Sequence, residues 1–247
     1  MDSQVAYLVN GASPYMEMTK TSIHLLRRHN STVPVTVFFV DDHHHRLPAD
    51  FSDFCDHWSV ELRVCLNVES SYFQDNKVHL GQCEGERVLL LDADTFVFAD
   101  VLELFEAYQG YDVVACTNDW VWHCGYRAEF IPGNPVPLNS GVLLCSSRFL
   151  GAWSGRLPEL HECLRTGRSF PALTKWLYEV SASAYNREEF GLTICSAEAH
   201  IRTAHFADAD CKLLKYSRLD SDLAQFQSCT KVFHSYSGHW RRCVSCL

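Results

Sequence analysis

The stretch RVLLLDADTFVFADVLELF, from Arg87 to Phe105, decides the fold that we predict for this chain. Four apolar residues run into Asp92-Ala93-Asp94, and a second apolar run, Phe96-Val97-Phe98, follows almost at once. A nearly continuous apolar run is typical of a central strand that is buried on both faces. A carboxylate in this setting is costly unless it is paired, protonated or bound to a metal ion. The stretch therefore predicts a buried strand that ends at a charged site.

The composition of the chain narrows the class of protein. With 247 residues it is long enough for one large α/β domain and short for two, so we expect a single domain over residues 1–247. Hydrophobic residues make up 47% and charged residues 21%, which is typical of a packed globular protein. The net charge is −9, and no basic run is longer than two arginines. This charge argues against nucleic acid as a partner.

The N-terminal residues and the cysteines lead to an expectation about location. MDSQVAYLVNGAS starts with acidic and polar side chains, and its apolar run, Val5–Val9, is too short for a secretory signal. No segment reaches the roughly 18 apolar residues of a membrane span. We therefore expect a cytoplasmic protein without an integral membrane segment, of undetermined oligomeric state. Its twelve scattered cysteines are expected to be buried thiols, and the single CxxC, Cys243–Cys246, lacks the second pair that favours zinc.

Strand-like and helix-like segments alternate along the chain, which predicts an α/β sheet. Strands are predicted at 4–10, 33–42, 58–67, 87–94, 111–118 and 138–147, and helices at 18–29, 71–85, 99–108, 149–166, 171–185 and 190–200. Asp100 is expected to be the N-cap of the helix at 99–108. Ligands of open α/β sheets bind outside the carboxyl ends of the strands. Polar residues fall at several predicted strand ends: Asn10, Asp41-Asp42, Asp92, Asp94 and Asn118-Asp119.

Asp92 and Asp94 are spaced for a shared ligand. In an extended segment, residues two apart point to the same side, where two carboxylates repel each other. A divalent cation removes that conflict, and oxygen ligands suit Mg2+ or Mn2+. The simpler interpretation, in which one Asp caps a turn and the other is exposed, applies to most D-x-D sequences. The buried strand before this pair favours the metal site.

Together with other segments, VLLLDADTFVFADVLELF resembles the D-x-D segment of GT-A glycosyltransferases, particularly the glycogenin-like family 8. Further similar segments follow the family order from about residue 5 to residue 240: YLVNGASPY (7–15), DNKVHLGQ (75–82), LNSGVLL (138–144), NREEFGLTI (186–194) and FHSYSGHW (233–240). The resemblance implies a GT-A-like (Rossmann-like) fold, with a mixed, mostly parallel sheet flanked by helices. It also implies transfer of a hexose from a UDP-sugar donor, with retention at the anomeric carbon, to an acceptor that the sequence does not identify.

The resemblance implies roles for individual residues. Asp92 and Asp94, with Ala93 between them, bind Mn2+ (or Mg2+) together with the donor diphosphate, and His234 is the third protein ligand. Three residues are candidate catalytic groups: Lys77, which helps position the diphosphate and sugar, and Glu188 and Glu189, which reach the sugar near its anomeric carbon. The remaining donor contacts are expected from the uridine-binding, Asn-Ser-Gly and C-terminal segments: Val9, Asn10, Tyr15, Asn139, Ser140, Gly238 and His239.

The chain departs from the family at two segments, and two other functions stay open. The pair Glu188-Glu189 stands where the family pair usually begins with Asp, and Gly238 is followed directly by His239-Trp240 without the usual lysine. Glucose and galactose are therefore both candidate sugars. A nucleotidyltransferase that makes UDP-sugars is disfavoured because VNGASPYMEM has one glycine and no arginine. A catalytically silent GT-A-like binding module is disfavoured by the intact acids, Lys77 and His234.

Overall fold

The structure, a computed structural model, describes residues 2–41, 46–68, 73–118, 133, 135–166, 187–213 and 231–235. These residues form the following strands: β1 (Ser3–Asn10), β2 (Val35–Asp41), β3 (Glu61–Leu66), β4 (Arg87–Leu91), β5 (Thr95–Val97), β6 (Val113–Thr117), β7 (Leu138–Ser146), β8 (Thr203–His205), β9 (Cys211–Leu213) and β10 (Val232–His234). Their helices are α1 (Ser13–His29), α2 (Ala49–His57), α3 (Leu102–Ala107), α4 (Ser147–Thr166), α5 (Arg187–Ser196) and a 3-10 helix, Phe73–Gln82.

Seven of the strands form one sheet in the order β3-β2-β1-β4-β7-β6-β8. All neighbours pair in parallel except β7, which runs antiparallel to both β4 and β6. Helices pack against this sheet, so the mixed, mostly parallel α/β architecture predicted from the sequence is confirmed. The reversal of β7 matters for the site because it brings the start of β7 to the edge where the parallel strands end.

Strand β4 is the middle strand of the sheet, and all five of its residues are buried. Val88 and Leu90 belong to the hydrophobic core on one face of the sheet, whereas Leu89 and Leu91 belong to the core on the other. Because successive side chains of a strand point to opposite faces, a strand between two cores needs apolar residues at every position. The run RVLLL has this pattern, and the two-sided burial predicted for it is confirmed.

The three short strands form a second sheet in the order β5-β10-β9. Strand β10 pairs antiparallel with β5, so that His234 lies opposite Thr95 and Phe233 lies opposite Phe96. Since β5 follows β4 after only three residues, this pairing carries β10 directly to the carboxyl end of the central strand.

Several predicted element boundaries were wrong. Asp92 and Asp94 do not lie in an extended segment, because β4 ends at Leu91 and the chain turns, with the Thr95 N–H donating to the Asp92 carbonyl oxygen at 3.1 Å. The helix predicted at 71–85 is a 3-10 helix that covers Phe73–Gln82. Helix α2 was missed.

The N-cap prediction was also wrong by one position. Val101 occupies the N-cap of α3, although the Asp100 carboxylate still accepts the Leu102 N–H at 2.9 Å. The helix predicted at 171–185 and the CxxC lie outside the described residues. Among the residues that are described, no helix is both long and apolar enough to cross a membrane.

Candidate functional site

A cavity of about 300 Å³ lies at the carboxyl ends of the parallel strands β1 and β4. Its lining combines a few apolar residues with many polar ones: Leu8, Val9, Asn10, Tyr15, Phe73, Gln74, Lys77, Asp92, Ala93, Asp94, Asn139, Glu188, Glu189 and His234. Most of the residues singled out in the sequence analysis are in this set. Two predicted donor contacts, Gly238 and His239, lie outside the described residues.

Three potential metal ligands meet at one wall of the cavity. His234 Nε2 lies 3.2 Å from Asp94 Oδ1 and 3.8 Å from Asp92 Oδ2. One ligand atom from each of the three residues lies within 4.8 Å of the other two. Asp94 and His234 are largely buried, and the Asp92 side chain is 40% exposed, so the cluster can be reached from the cavity. The turn after β4 directs both carboxylates toward the imidazole although they are not on a strand.

Strand pairing and one glycine place His234 beside these carboxylates. Beyond the β5–β10 pairing, the Ser235 N–H and hydroxyl both donate to the Asp94 carbonyl oxygen at 3.0 Å. On the other side, the imidazole lies directly against Gly141 of β7. A Cβ atom at Gly141 would be only 1.9 Å from His234 Cε1, so no larger residue fits there without moving the ring.

The charges around His234 alter its titration. Burial alone would lower the pKa of His234, but the carboxylates of Asp94 and Asp92 outweigh it and raise the pKa to about 9. Burial raises the pKa of Asp94, and the neighbouring His234 partly offsets that shift. When it is protonated, the His234 imidazole is therefore placed to pair with both carboxylates.

Lys77 lies between Asp92, one of the three potential metal ligands, and Glu188 of α5. The 3-10 helix buries it, and its ammonium donates to Ser140 Oγ at 2.7 Å. The same Nζ is 3.6 Å from both Asp92 Oδ1 and Glu188 Oε1. Burial would lower the pKa of Lys77, but the surrounding carboxylates outweigh it and raise the pKa. The ammonium thus stays charged at the centre of the cavity wall.

Helix α5 presents Glu188 and Glu189 to the cavity from its first turn. Both side chains are almost fully buried, at 1% and 3% exposure. Burial raises the pKa of each carboxyl group, and Lys77 works against the rise in both. With Asp92 and Asp94, the lining holds four carboxyl groups against one lysine and one histidine. The lining therefore holds more acidic than basic side chains.

The end of β1 and the start of α1 also contribute to the cavity lining. Asn10 Oδ1 accepts the Ala12 N–H at 3.2 Å, which shapes the loop between the two elements. Pro14 lies in the first turn of α1, where its missing N–H costs nothing. The Tyr15 ring is 41% exposed at the cavity mouth. Val9, Asn10 and Tyr15 thus line the same cavity.

Asn118, which follows β6, is a buried residue that was not predicted as part of the site. Its side-chain amide donates to Glu189 Oε2 at 2.8 Å. The sequence contained a signal for it, since Asn118 is one of the polar residues at predicted strand ends. That signal could not identify Glu189 as its partner, because the two residues are 71 positions apart.

Comparison with solved structures finds the same fold in several glycosyltransferases. Mouse xyloside xylosyltransferase 1 is aligned over 95% of this chain and 97% of its own, with 15% sequence identity and a TM-score of 0.56. GlyE of Streptococcus pneumoniae TIGR4 is aligned over 97% of this chain, with 16% identity and a TM-score of 0.61, and this chain spans 60% of GlyE. The galactosyltransferase LgtC is aligned over 99% of this chain and 96% of its own, with 11% identity and a TM-score of 0.56.

The likeness to these enzymes is one of fold. No family model and no curated protein sequence matches the chain. The GT-A-like fold expected from the ordered sequence segments is nevertheless confirmed, because the matches extend over nearly the whole chain. A conclusion about function has to come from the residues of the cavity itself.

Proposed function

We propose that this chain is a metal-dependent glycosyltransferase that moves a hexose from a UDP-sugar to an acceptor, with retention at the anomeric carbon. The observation that carries the proposal is the meeting of Asp92, Asp94 and His234 in one cavity with Lys77. Neighbours of the same fold that are named as xylosyltransferase, galactosyltransferase and glycosyltransferase support the reaction class.

The residues of the cluster fit a divalent cation such as Mn2+. Two carboxylates and one imidazole make a mixed oxygen and nitrogen ligand set. This set suits Mn2+ better than Mg2+, because Mg2+ prefers oxygen ligands alone. The excess of carboxyl groups in the cavity lining favours any cation there. The close fit of the His234 ring against Gly141 shows that the backbone is shaped to hold the ring at this place.

The residues of the chain would share the work on the donor as follows. Val9, Asn10 and Tyr15, where β1 leads into α1, would hold the uridine. Lys77 would add a positive charge beside the diphosphate, and Ser140 fixes that ammonium by accepting its hydrogen bond. When bound, the cation would stabilise the negative charge that develops on the UDP leaving group. Such a site works mainly by positioning, so retaining transfer needs no separate protein base.

The test is a panel of UDP-sugars in Mn2+, with release of UDP as the readout. UDP-glucose, UDP-galactose and UDP-N-acetylglucosamine cover the candidate hexose donors, and UDP-xylose tests a pentose for comparison. Asp92→Asn and Asp94→Asn should each lower UDP release by about 100-fold or more, because charge stabilisation of the leaving group is commonly the largest catalytic contribution. Asp50→Asn is the matched control, since the Asp50 side chain is 71% exposed and pairs only with Lys20 among the described residues. Full activity in both site variants would refute the metal-dependent mechanism.

A thermal-shift experiment separates the proposed function from its two rivals. Stabilisation by UDP that requires Mn2+ supports the transferase. Stabilisation by UTP together with a sugar phosphate, without UDP release from any UDP-sugar, favours a nucleotidyltransferase. A protein that responds to neither ligand is best described as a silent binding module.

A further inference from the structure

The two neighbouring acids of α5 have different surroundings, although both line the cavity. The Glu189 carboxylate accepts three hydrogen bonds: Asn118 Nδ2 donates to Oε2 at 2.8 Å, Asn139 Nδ2 donates to Oε1 at 2.8 Å, and the Ser140 N–H donates to Oε1 at 3.2 Å. These donors belong to the end of β6 and the start of β7. Both oxygens of Glu189 are therefore occupied within the protein.

In Glu188, by contrast, only one of the two carboxylate oxygens lies near hydrogen-bond donors. Its Oε1 lies 3.5 Å from Ser140 Oγ and 3.6 Å from Lys77 Nζ. Its Oε2 is buried and has no hydrogen-bond partner among the described residues. A buried carboxylate oxygen without a donor is costly, and Glu188 lines the cavity. A hydroxyl of a ligand in the cavity would supply the donor that this oxygen lacks.

The side-chain amide of Asn139, like the Glu189 carboxylate, forms its hydrogen bonds within the protein. While its Nδ2 donates to Glu189, its Oδ1 accepts the Gly141 N–H at 3.0 Å. The amide therefore joins α5 to β7 with both of its ends. A role in holding the cavity wall accounts for these bonds better than a direct contact with the donor sugar.

We propose that Glu189 is a positioning residue, held by Asn118 and Asn139, and that Glu188 is the acid of the pair that contacts a sugar hydroxyl. The inference rests on the proposed function and divides the work between two acids that the sequence could not tell apart. Adjacent residues on an α-helix project about 100° apart around its axis. Anchoring Glu189 to β6 and β7 thus sets the rotation of α5, and that rotation points Glu188 into the cavity.

An exchange of amide and carboxylate between positions 118 and 189 tests this division. Asn118→Asp places a second carboxylate against Glu189, and we expect UDP release to fall by about 100-fold. Combining Asn118→Asp with Glu189→Gln restores a donor and an acceptor, because the glutamine amide can donate to the new aspartate. Asn139 and Ser140 can still donate to the remaining glutamine oxygen. We expect the double variant to recover UDP release to within about tenfold of the wild type.

Thr193→Val is the control for stability. The Thr193 hydroxyl donates to the Glu189 carbonyl oxygen at 2.8 Å and accepts the Leu138 N–H at 3.1 Å, so it joins the same elements without touching either carboxylate. This variant should unfold at a lower temperature and keep UDP release at 25 °C within about threefold of the wild type. A loss of UDP release as large as that of Asn118→Asp would overturn the positioning role.

Two outcomes of the exchange are decisive, and unfolding midpoints of all variants are measured alongside. If the Glu189 carboxylate itself contacts the sugar, the double variant regains stability but stays as inactive as Asn118→Asp, which overturns the proposal. If the wild type releases no UDP from any donor, the proposed function fails separately. The unfolding midpoints then still test the pairing, and a double variant no more stable than Asn118→Asp overturns it.

Discussion

At the scale of single residues, the candidate metal site depends on Gly141, because glycine has no Cβ atom. From the sequence, Asn139 and Ser140 of the Asn-Ser-Gly segment are predicted to contact the donor. In the structure, the glycine makes room for the His234 ring, which leaves no space for a Cβ atom. The conformational freedom of glycine plays no part here, since the residue lies within a regular strand.

Gly141→Ala should therefore weaken metal binding. The methyl group would push the imidazole away from Asp92 and Asp94, and displacement of a ligand commonly costs about 10- to 100-fold in metal affinity. Isothermal titration with Mn2+ measures the change. Gly155→Ala is the matched control, because a Cβ atom there meets nothing within 4 Å. It should bind Mn2+ normally and gain about 0.5–1 kcal/mol in stability from the better helix propensity of alanine. Equal Mn2+ affinity in both variants would contradict the role given to Gly141.

The raised pKa of His234 predicts how Mn2+ binding depends on pH. The ordinary value of 6.5 rises to about 9, so the metal-free imidazole carries a proton at pH 7. A metal ligand must be neutral, and Mn2+ therefore has to displace this proton. The affinity should rise with pH and level off near the pKa of His234. Titrations at pH 7 in buffers of different ionisation enthalpy should show about one proton released for each ion bound. An affinity that does not change between pH 6.5 and pH 8.5 would contradict the prediction.

At the scale of elements, the end of α1 is joined to two other segments by one buried arginine, Arg27. The Arg27 guanidinium donates to the carbonyl oxygens of Asn30 and Val33 before β2, and to those of Trp58 and Ser59 before β3. These contacts hold the C-terminal end of α1 beside the segments that lead into β2 and β3, whereas Asn10 and Tyr15 lie at the opposite end, where β1 leads into α1. Backbone carbonyl groups between elements need such donors when they are buried.

Arg27→Met should destabilise the fold by about 2–4 kcal/mol, because four carbonyl groups lose a charged donor and the methionine replaces only the stem. Urea unfolding measures the loss. Arg28→Met is the matched control, since Arg28 is the next residue of the same helix and is exposed. It should change the free energy of unfolding by less than about 0.5 kcal/mol. If both variants lost the same free energy of unfolding, the positive charge of the arginines, and not the buried hydrogen bonds of Arg27, would stabilise this end of α1.

At the scale of the whole molecule, the cavity gathers residues from segments that lie far apart in the sequence, from β1 to β10. Its acids, lysine and histidine come from the 3-10 helix, the β4–β5 turn, α5 and β10. An ion bound by Asp92, Asp94 and His234 would join the two sheets. Any ligand that binds only the folded state adds to its stability.

Mn2+ at 100 times its dissociation constant should therefore stabilise the protein by about 2.7 kcal/mol, and EDTA should reverse the effect. A thermal melt measures the shift in the unfolding midpoint. Asp94→Asn should abolish the shift, whereas Asp112→Asn should retain it, because Asp112 lies just before β6 and pairs with Arg202. A shift that survives in Asp94→Asn would place the ion elsewhere.

The sequence by itself determined the fold class and the position of the central strand. Apolar runs, alternation and helix periodicity are local properties, and the apolar run of β4 requires burial wherever the strand is placed. The order of the segments similar to family 8 also predicted which residues would share one cavity. Their functional roles stay predictions, and so do those of Gly238 and His239.

Only the tertiary structure decided how the predicted residues are held. The bond from Ser235 to the Asp94 carbonyl oxygen, the space that Gly141 leaves for His234 and the bond from Asn118 to Glu189 all depend on pairs that are distant in sequence. Local pattern carries no information about such pairs, because the contact energy arises only after strands β4, β7 and β10 have come together. The sequence shows two adjacent glutamates that look alike. The structure distinguishes them, because β6 and β7 supply hydrogen-bond donors to both oxygens of Glu189 and leave one oxygen of Glu188 without a donor among the described residues.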